Sequence, residues 1–255
     1  MAIFLCYNLG VRRDEYMIKL DNVTKIFGKD FKAVDSLNLE ICEGKIYGFL
    51  GPNGAGKTTT LKMLTGILCP DEGKININGY DIVENSNEAK KEFAFVCDDP
   101  DMFLKLKGIE YLKFIGKIYG VDNLELKELI FKYSEIFDMQ DVLNDRIESY
   151  SHGMRQKIFV IGALIHKPKI WILDEPLTGL DPKSSHILKQ MMKEHASNGN
   201  IVLFSTHVLE VAEKLCDHLF IINKGKLIYD GLMEELKDKK DNSLEEIFLE
   251  LVDNE

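Results

Sequence analysis

Arginine is scarce in this chain: Arg12, Arg13, Arg146 and Arg155 are the whole set. Acidic residues outnumber basic ones, 42 against 32, for a formal charge of −10. A nucleic-acid binder needs clustered cations against phosphates, so this balance argues against that class. Paired cysteines are missing too. Cys6, Cys42, Cys69, Cys97 and Cys216 are dispersed and odd in number, with no C-x-x-C spacing. That pattern points to free thiols in a reducing compartment and away from a disulfide or zinc framework. The longest apolar run is only Ile158 to Ile165, far short of the roughly 20 residues that span a bilayer. Ala2 to Tyr7 is apolar, but no basic segment precedes it and no small-residue cleavage site follows, so no leader is expected. The expectation is a cytoplasmic chain that meets any membrane through a partner. There is no internal repeat and no low-complexity tract.

What the chain does have is a loop. Gly51-Pro52-Asn53-Gly54-Ala55-Gly56-Lys57-Thr58-Thr59 fits the phosphate-binding pattern G-x-x-x-x-G-K-[ST]. The apolar-rich segment Lys45 to Leu50 before it reads as a buried strand, and Thr58 to Leu64 after it reads as a helix. Glycines let the backbone approach phosphate oxygens without a Cβ in the way. The following helix N-terminus adds inward N–H groups and partial positive charge. Lys57 would then neutralise the β- and γ-phosphates of a bound nucleotide, and the Thr58 hydroxyl would hold Mg²⁺. A bare Gly-rich turn would not need both flanking elements.

The rest of the chain reads as α/β with one helical interruption. Regular alternation begins at Met17, whereas residues 1–16 show neither a strand nor a helix pattern. Met17 is therefore the expected natural start. Arg12-Arg13 can be encoded by a ribosome-binding AGGAGG, separated from the Met17 codon by those of Asp14, Glu15 and Tyr16. The alternative is a poorly ordered extension. Leu37 to Ile41 and Lys74 to Gly79 alternate as half-buried strands, and Phe93 to Val96 reads as a short buried one. Between about 100 and 166 the pattern turns helical, with helices around Ile109 to Tyr119, Leu124 to Phe137 and Met154 to Ile165. Ile170 to Leu173 and Ile201 to Phe204 are continuously apolar, as strands inside a parallel sheet are. Pro182 to Ala196 is a helix with proline near its start. Asp217 to Ile222 and Lys226 to Tyr229 flank Asn223-Lys224-Gly225 as a hairpin. Lys237 to Asn242 reads as a solvated linker, and Ser243 opens a last amphipathic helix.

The strand Ile170 to Leu173 ends in Asp174-Glu175. In an open parallel sheet such an end lies beside the phosphate loop. Asp174 would reach Mg²⁺, and Glu175 would take a proton from the attacking water or orient it. Alone, the pair reads equally well as two exposed acids; the loop decides.

Together these residues resemble the ATP-binding subunit of ABC transporters, over about residues 17 to 252. Tyr150-Ser151-His152-Gly153-Met154-Arg155-Gln156-Lys157 stands where the family has L-S-G-G-Q. Glu175 to Pro182 is similar to the second acidic motif and D-loop, and Ser205-Thr206-His207 to the switch histidine. Phe27 looks like the aromatic that stacks on adenine. The order and spacing of five motifs carry the match. The resemblance implies a P-loop NTPase core with a mixed sheet, an N-terminal antiparallel β part and an inserted helical subdomain. It implies that Ser151 and Gly153 face the nucleotide of a partner chain across an ATP-sandwich dimer, homomeric or heteromeric. It implies that His207 contacts the γ-phosphate and holds Glu175 in register. The partner it implies is an integral membrane permease, with the ATPase peripheral on the inner face of the membrane. The domain would run from 17 to 240, followed by a C-terminal helix in 241–255. The tail Ser243 to Leu251 is similar to those of drug and antibiotic exporters.

Three departures stand out. Asp98 occupies the Q-loop glutamine position, with a shorter side chain that still reaches Mg²⁺ or water. His152 and Met154 replace a signature glycine and glutamine. Ser151 and Gly153, which carry the phosphate role, remain, so retained but slow hydrolysis is expected. The alternative is a non-transport ABC ATPase in cofactor assembly. A translation-factor type would carry two such units, a DNA-repair type would carry a long coiled coil, and a kinase would not need the signature or the switch histidine.

Overall fold

The computed structural model describes residues 17–98, 103–238 and 244–253. The expected extension, the start at Met17 that depends on it, and Ser243 at the head of the last helix involve residues outside that range. In chain order the first elements are β1 (Ile18–Phe27), β2 (Phe31–Ile41), β3 (Lys45–Leu50), α1 (Lys57–Leu64), β4 (Glu72–Ile77), β5 (Tyr80–Asp81), α2 (Ser86–Glu92) and β6 (Phe93–Val96). Three helices follow, α3 (Gly108–Ile118), α4 (Asn123–Ile136) and α5 (His152–Ile165). Then come β7 (Ile170–Asp174), α6 (Pro182–Ser197), β8 (Ile201–Thr206), α7 (Leu209–Leu215), β9 (His218–Asn223), β10 (Lys226–Leu232), α8 (Met233–Asp238) and α9 (Leu244–Asp253).

The strands form two sheets. One is four-stranded and antiparallel, in the order β2-β1-β4-β5. The other is six-stranded, β10-β9-β3-β8-β7-β6, parallel except for the β9–β10 hairpin. Both faces of this second sheet are covered, which is why its strands are apolar without alternation. The period of two survives in which core each residue joins. Ile46, Leu173, Val202, Phe204 and Leu219 face the helical side. Tyr47, Phe49, Ile172, Leu203 and Phe220 face the antiparallel sheet and α1. Phe49, Phe204 and Phe220 are at most 1% exposed, each contributing about 2 kcal/mol through burial.

Helices α3, α4 and α5 pack on one another, and α5 packs on β6. Their starts are set by caps. Asp122 accepts from the Leu124 N–H at 2.8 Å ahead of α4, and Lys107 N donates to Glu110 at 2.9 Å ahead of α3. Ser151 caps α5, so that helix begins at His152, ahead of the expected Met154. Helix α8 runs to Asp238 and so enters the stretch read as a linker from Lys237. The short helices α2 and α7 escaped the sequence pattern because each buries only one or two side chains, too few to set up a period. Among the described residues no helix is long and apolar enough to cross a membrane.

Candidate functional site

Parallel pairing places the C-terminal ends of β6, β7, β8 and β3 along one rim. Each end carries a motif far from the others in sequence. The phosphate loop follows β3, Asp174 and Glu175 close β7, His207 follows β8, and Asp98 lies just past β6. This is where open α/β sheets bind ligands.

The loop needs its glycines. Gly54 and Gly56 have φ of 80° and 110°, values that L side chains resist. A Cβ on Gly56 would lie 2.4 Å from the Ala33 carbonyl oxygen, and one on Gly51 would lie 2.3 Å from that of Ile222. The loop is thus wedged between β2 and the end of β9. Gly225 completes the wedge: its N–H donates to the Ala55 carbonyl at 2.9 Å, and its own carbonyl accepts from Asp35 N at 2.9 Å. The sequence reading took Gly225 only as a hairpin residue; its support of the loop depends on a long-range approach. Gly56 offers no capping side chain to α1, which leaves first-turn N–H groups for an anion. Thr58 is exposed at that helix start, Asn53 is exposed, and Pro52 and Thr59 are half-buried. Lys57 is buried and donates to the Gly51 and Pro52 carbonyls at 2.8 and 3.3 Å. Burial pushes its ammonium below the usual lysine pKa, while the charges of Glu175 and Asp174 oppose that shift. Those two carboxylates therefore act on Lys57 within one chain.

Asp174 is 2% exposed and accepts from the Ser205 hydroxyl at 2.5 Å. The same hydroxyl oxygen accepts from Glu175 N at 3.0 Å. Ser205 thereby ties both acidic residues to β8. The sequence reading quoted Ser205 only as the neighbour of His207; its role follows from the register Asp174↔Ser205, which no local pattern reveals. Glu175 has a left-handed φ of 47°, which turns it away from Asp174. Its Oε1 lies 2.9 Å from His207 Nδ1. The His207 side chain is half exposed, and Thr206 Oγ1 accepts from Val208 N at 3.1 Å to shape the turn beyond it. A cleft of about 280 Å³ opens beside this pair, reaching Thr178 and Ser185.

Among the described residues no group of three or more His, Cys, Asp or Glu side chains could by itself hold a metal. A hydroxyl at Thr58 and a carboxylate at Asp174 are the hard oxygen donors that suit magnesium, which takes its remaining ligands from phosphate and water. Asp98 is exposed at the far strand of the same rim.

Ser151 and Gly153 lie elsewhere. The Ser151 hydroxyl accepts from Met154 N at 3.3 Å and is exposed. A Cβ on Gly153 would lie 2.5 Å from the Gly179 carbonyl oxygen. Lys157 pairs with Asp181 at 2.8 Å, and Gln156 donates to the Pro176 carbonyl at 3.4 Å. Lys157, with the N–H and hydroxyl of Ser184, holds the Asp181 carboxyl well below the usual range. The start of α5 is thus fastened to the segment after Glu175; among the described residues no hydrogen bond joins Ser151 or Gly153 to the phosphate loop. Phe27, which in isolation reads as a core residue, is 41% exposed at the tip of the β1–β2 hairpin, across from Phe31 at 64%.

Residues 34–178 match a family model described as ABC transporter. The ABC transporter ATP-binding protein NatA of Bacillus subtilis is 36% identical over 238 residues, which cover 91% of this chain and 97% of that protein. The Nod factor export ATP-binding protein I of Cupriavidus metallidurans is 36% identical over 224 residues, 88% of this chain and 74% of that one. A solved structure described as an ATP-binding subunit of an ABC transporter superposes with a TM-score of 0.86 at 28% identity, covering 92% of this chain and 99% of that one.

Proposed function

The chain belongs to the ABC transporter family as an ATP-hydrolysing, ATP-binding subunit, and from that premise we propose how its site works and what it drives. Two such chains, identical or homologous, close on ATP. Phe27 stacks on the base. The loop from Gly51 to Thr59 and Lys57 hold the β- and γ-phosphates. Thr58 and Asp174 hold the Mg²⁺ that arrives with the nucleotide, with Asp98 at the edge of the same rim. Glu175 takes the proton of the water that attacks the γ-phosphorus, and His207 fixes Glu175 and contacts the γ-phosphate. Ser151 and Gly153 of the second chain complete the phosphate cage. Closure follows from the extra affinity of the paired state for ATP, and hydrolysis removes it.

The observation that carries this reading is the Glu175–His207 contact at 2.9 Å beside the buried Asp174–Ser205 pair. Exposure of Ser151 on a helix start away from its own loop supports the two-chain arrangement. The energy goes to a separate membrane permease, whose cytoplasmic helix seats against the helical block of α3, α4 and α5 and the Asp98 segment. The chain would then sit on the inner face of the membrane. The name of the Nod factor export relative supports outward transport.

Glu175→Gln is expected to lower hydrolysis about a thousandfold and to accumulate an ATP-bound pair on size exclusion. Adding Ser151→Arg should dissolve that pair while single-chain ATP binding persists. Unchanged turnover in the first variant rejects Glu175 as the base. Loss of ATP binding in the second assigns Ser151 to its own chain's site.

A further inference from the structure

Phe27 ends a strand whose last residues pair irregularly, and with β2 alone. β1 shifts register against β2 between Leu20 and Val23, between Val23 and Lys25, and between Lys25 and Ile26. Its pairing with β4 reaches only to Thr24↔Glu72. Beyond that point Asp71 takes over. Its N–H donates to the Thr24 carbonyl at 2.9 Å, its Oδ2 accepts from Ile26 N at 2.7 Å, and its Oδ1 accepts from Lys25 Nζ at 3.1 Å. Lys25 Nζ also donates to the Cys69 carbonyl at 2.7 Å. The ammonium then lies over the Phe27 ring, 5.9 Å from its centroid.

The segment that holds this strap is itself fixed to the phosphate helix. Ile67 N and Leu68 N both donate to the Lys62 carbonyl of α1, at 2.9 and 3.0 Å. The backbone from Ile67 to Asp71 therefore ties α1 to the strap, and Lys25 carries the link on to the Phe27 ring.

We propose that Lys25 and Asp71 are positioning residues for the nucleobase: they set the distance of Phe27 from the phosphate loop and cover one ring face, so that a base-bearing triphosphate stacks on the other. This rests on the reading of Phe27 as the stacking residue. A cation over one face holds the ring in place through its quadrupole, and a charge-assisted bond resists drift of the hairpin.

The test compares affinities of the full chain for ATP and for inorganic triphosphate, which has the phosphates and no base. Asp71→Ala and Lys25→Met are each expected to weaken ATP binding about fivefold and to leave triphosphate binding unchanged. Equal losses for both ligands would mean that the strap serves the phosphate loop, and no loss for either would mean that it serves neither; both results overturn the proposal. Phe27→Ala is the reference. If it leaves the ratio of ATP to triphosphate affinity unaltered, the stacking reading has failed and the inference falls with it. If it narrows that ratio while Asp71→Ala does not, the inference alone has failed.

Discussion

At one end of β7, Asp174 is buried against the Ser205 hydroxyl. At the other, Trp171 is 7% exposed, stacks on His195 at 4.0 Å and 15°, and has an Nε1–H without a hydrogen-bond partner among the described residues. Both ends combine a buried polar group, a shifted or constrained titratable neighbour and a cleft. The cleft at the Trp171 end is the larger, about 430 Å³ against about 280 Å³. Yet only the Asp174 end gathers groups from several strands. There a loop, two carboxylates and an imidazole converge from β3, β7 and β8. At the Trp171 end the imidazole meets a ring and the Lys169 carbonyl. Burial perturbs titratable groups at both ends; convergence at the C-terminal rim, where open α/β sheets bind ligands, is what singles out the Asp174 end as the candidate.

The contrast can be broken most sharply at Asp174. Asp174→Asn keeps an acceptor for Ser205 and removes the charge, so magnesium-dependent hydrolysis should fall about a thousandfold. A variant that hydrolyses ATP at the parental rate would mean that the buried carboxylate is structural, like the ring at the far end. A smaller loss is expected from Ser205→Ala. That change takes a charge-assisted bond from Asp174 and orphans the Glu175 N–H, so kcat should drop about thirtyfold, or ~2 kcal/mol. If Ser205 acts by positioning, KM for ATP moves much less than kcat; equal changes in both would assign it to nucleotide binding.

Much of the Asp174 end was legible in the sequence because each part is local. The loop announces itself through glycine spacing, the acids through an apolar strand that ends in them, and His207 through its place after another such strand. Family resemblance then implies a role for each part. Ser205 and Gly225 were not legible as site residues. Their roles depend on strand register and on a hairpin turn reaching back to Ala55, contacts separated by many residues in the chain. The apolar pattern starts α5 at Met154, two positions late, because the capping Ser151 and the His152 and Gly153 that follow it add nothing to an apolar period. Phe27 was legible only through the resemblance: an aromatic at the end of an apolar strand looks like core by pattern, and its 41% exposure comes from its place at the hairpin tip.

The smallest predicted effect belongs to the far end of β7. Burial pushes the His195 ring down from its usual 6.5 to about 4, and the bond to the Lys169 carbonyl opposes that shift. Lys132, Tyr133 and Glu194 share its cleft. A depressed folded-state pKa means that the native ring stays neutral where the unfolded ring already binds a proton. Stability is therefore whole above about pH 6.5 and declines as the pH falls toward 4. His166, half-buried and stacked on Tyr119, is shifted downward for the same reason and adds to the slope. His195→Phe keeps an aromatic partner for Trp171 and removes one titration. Between pH 7 and pH 5 its melting temperature should fall by roughly 2 °C less than the parent's, allowing for partial solvent screening of the ring. Its ATPase rate at pH 7 should stay within about twofold, as for a substitution remote from the chemistry. A slowed enzyme of unchanged stability would show that the Trp171 end feeds the nucleotide site, and the two ends of β7 would no longer be separable.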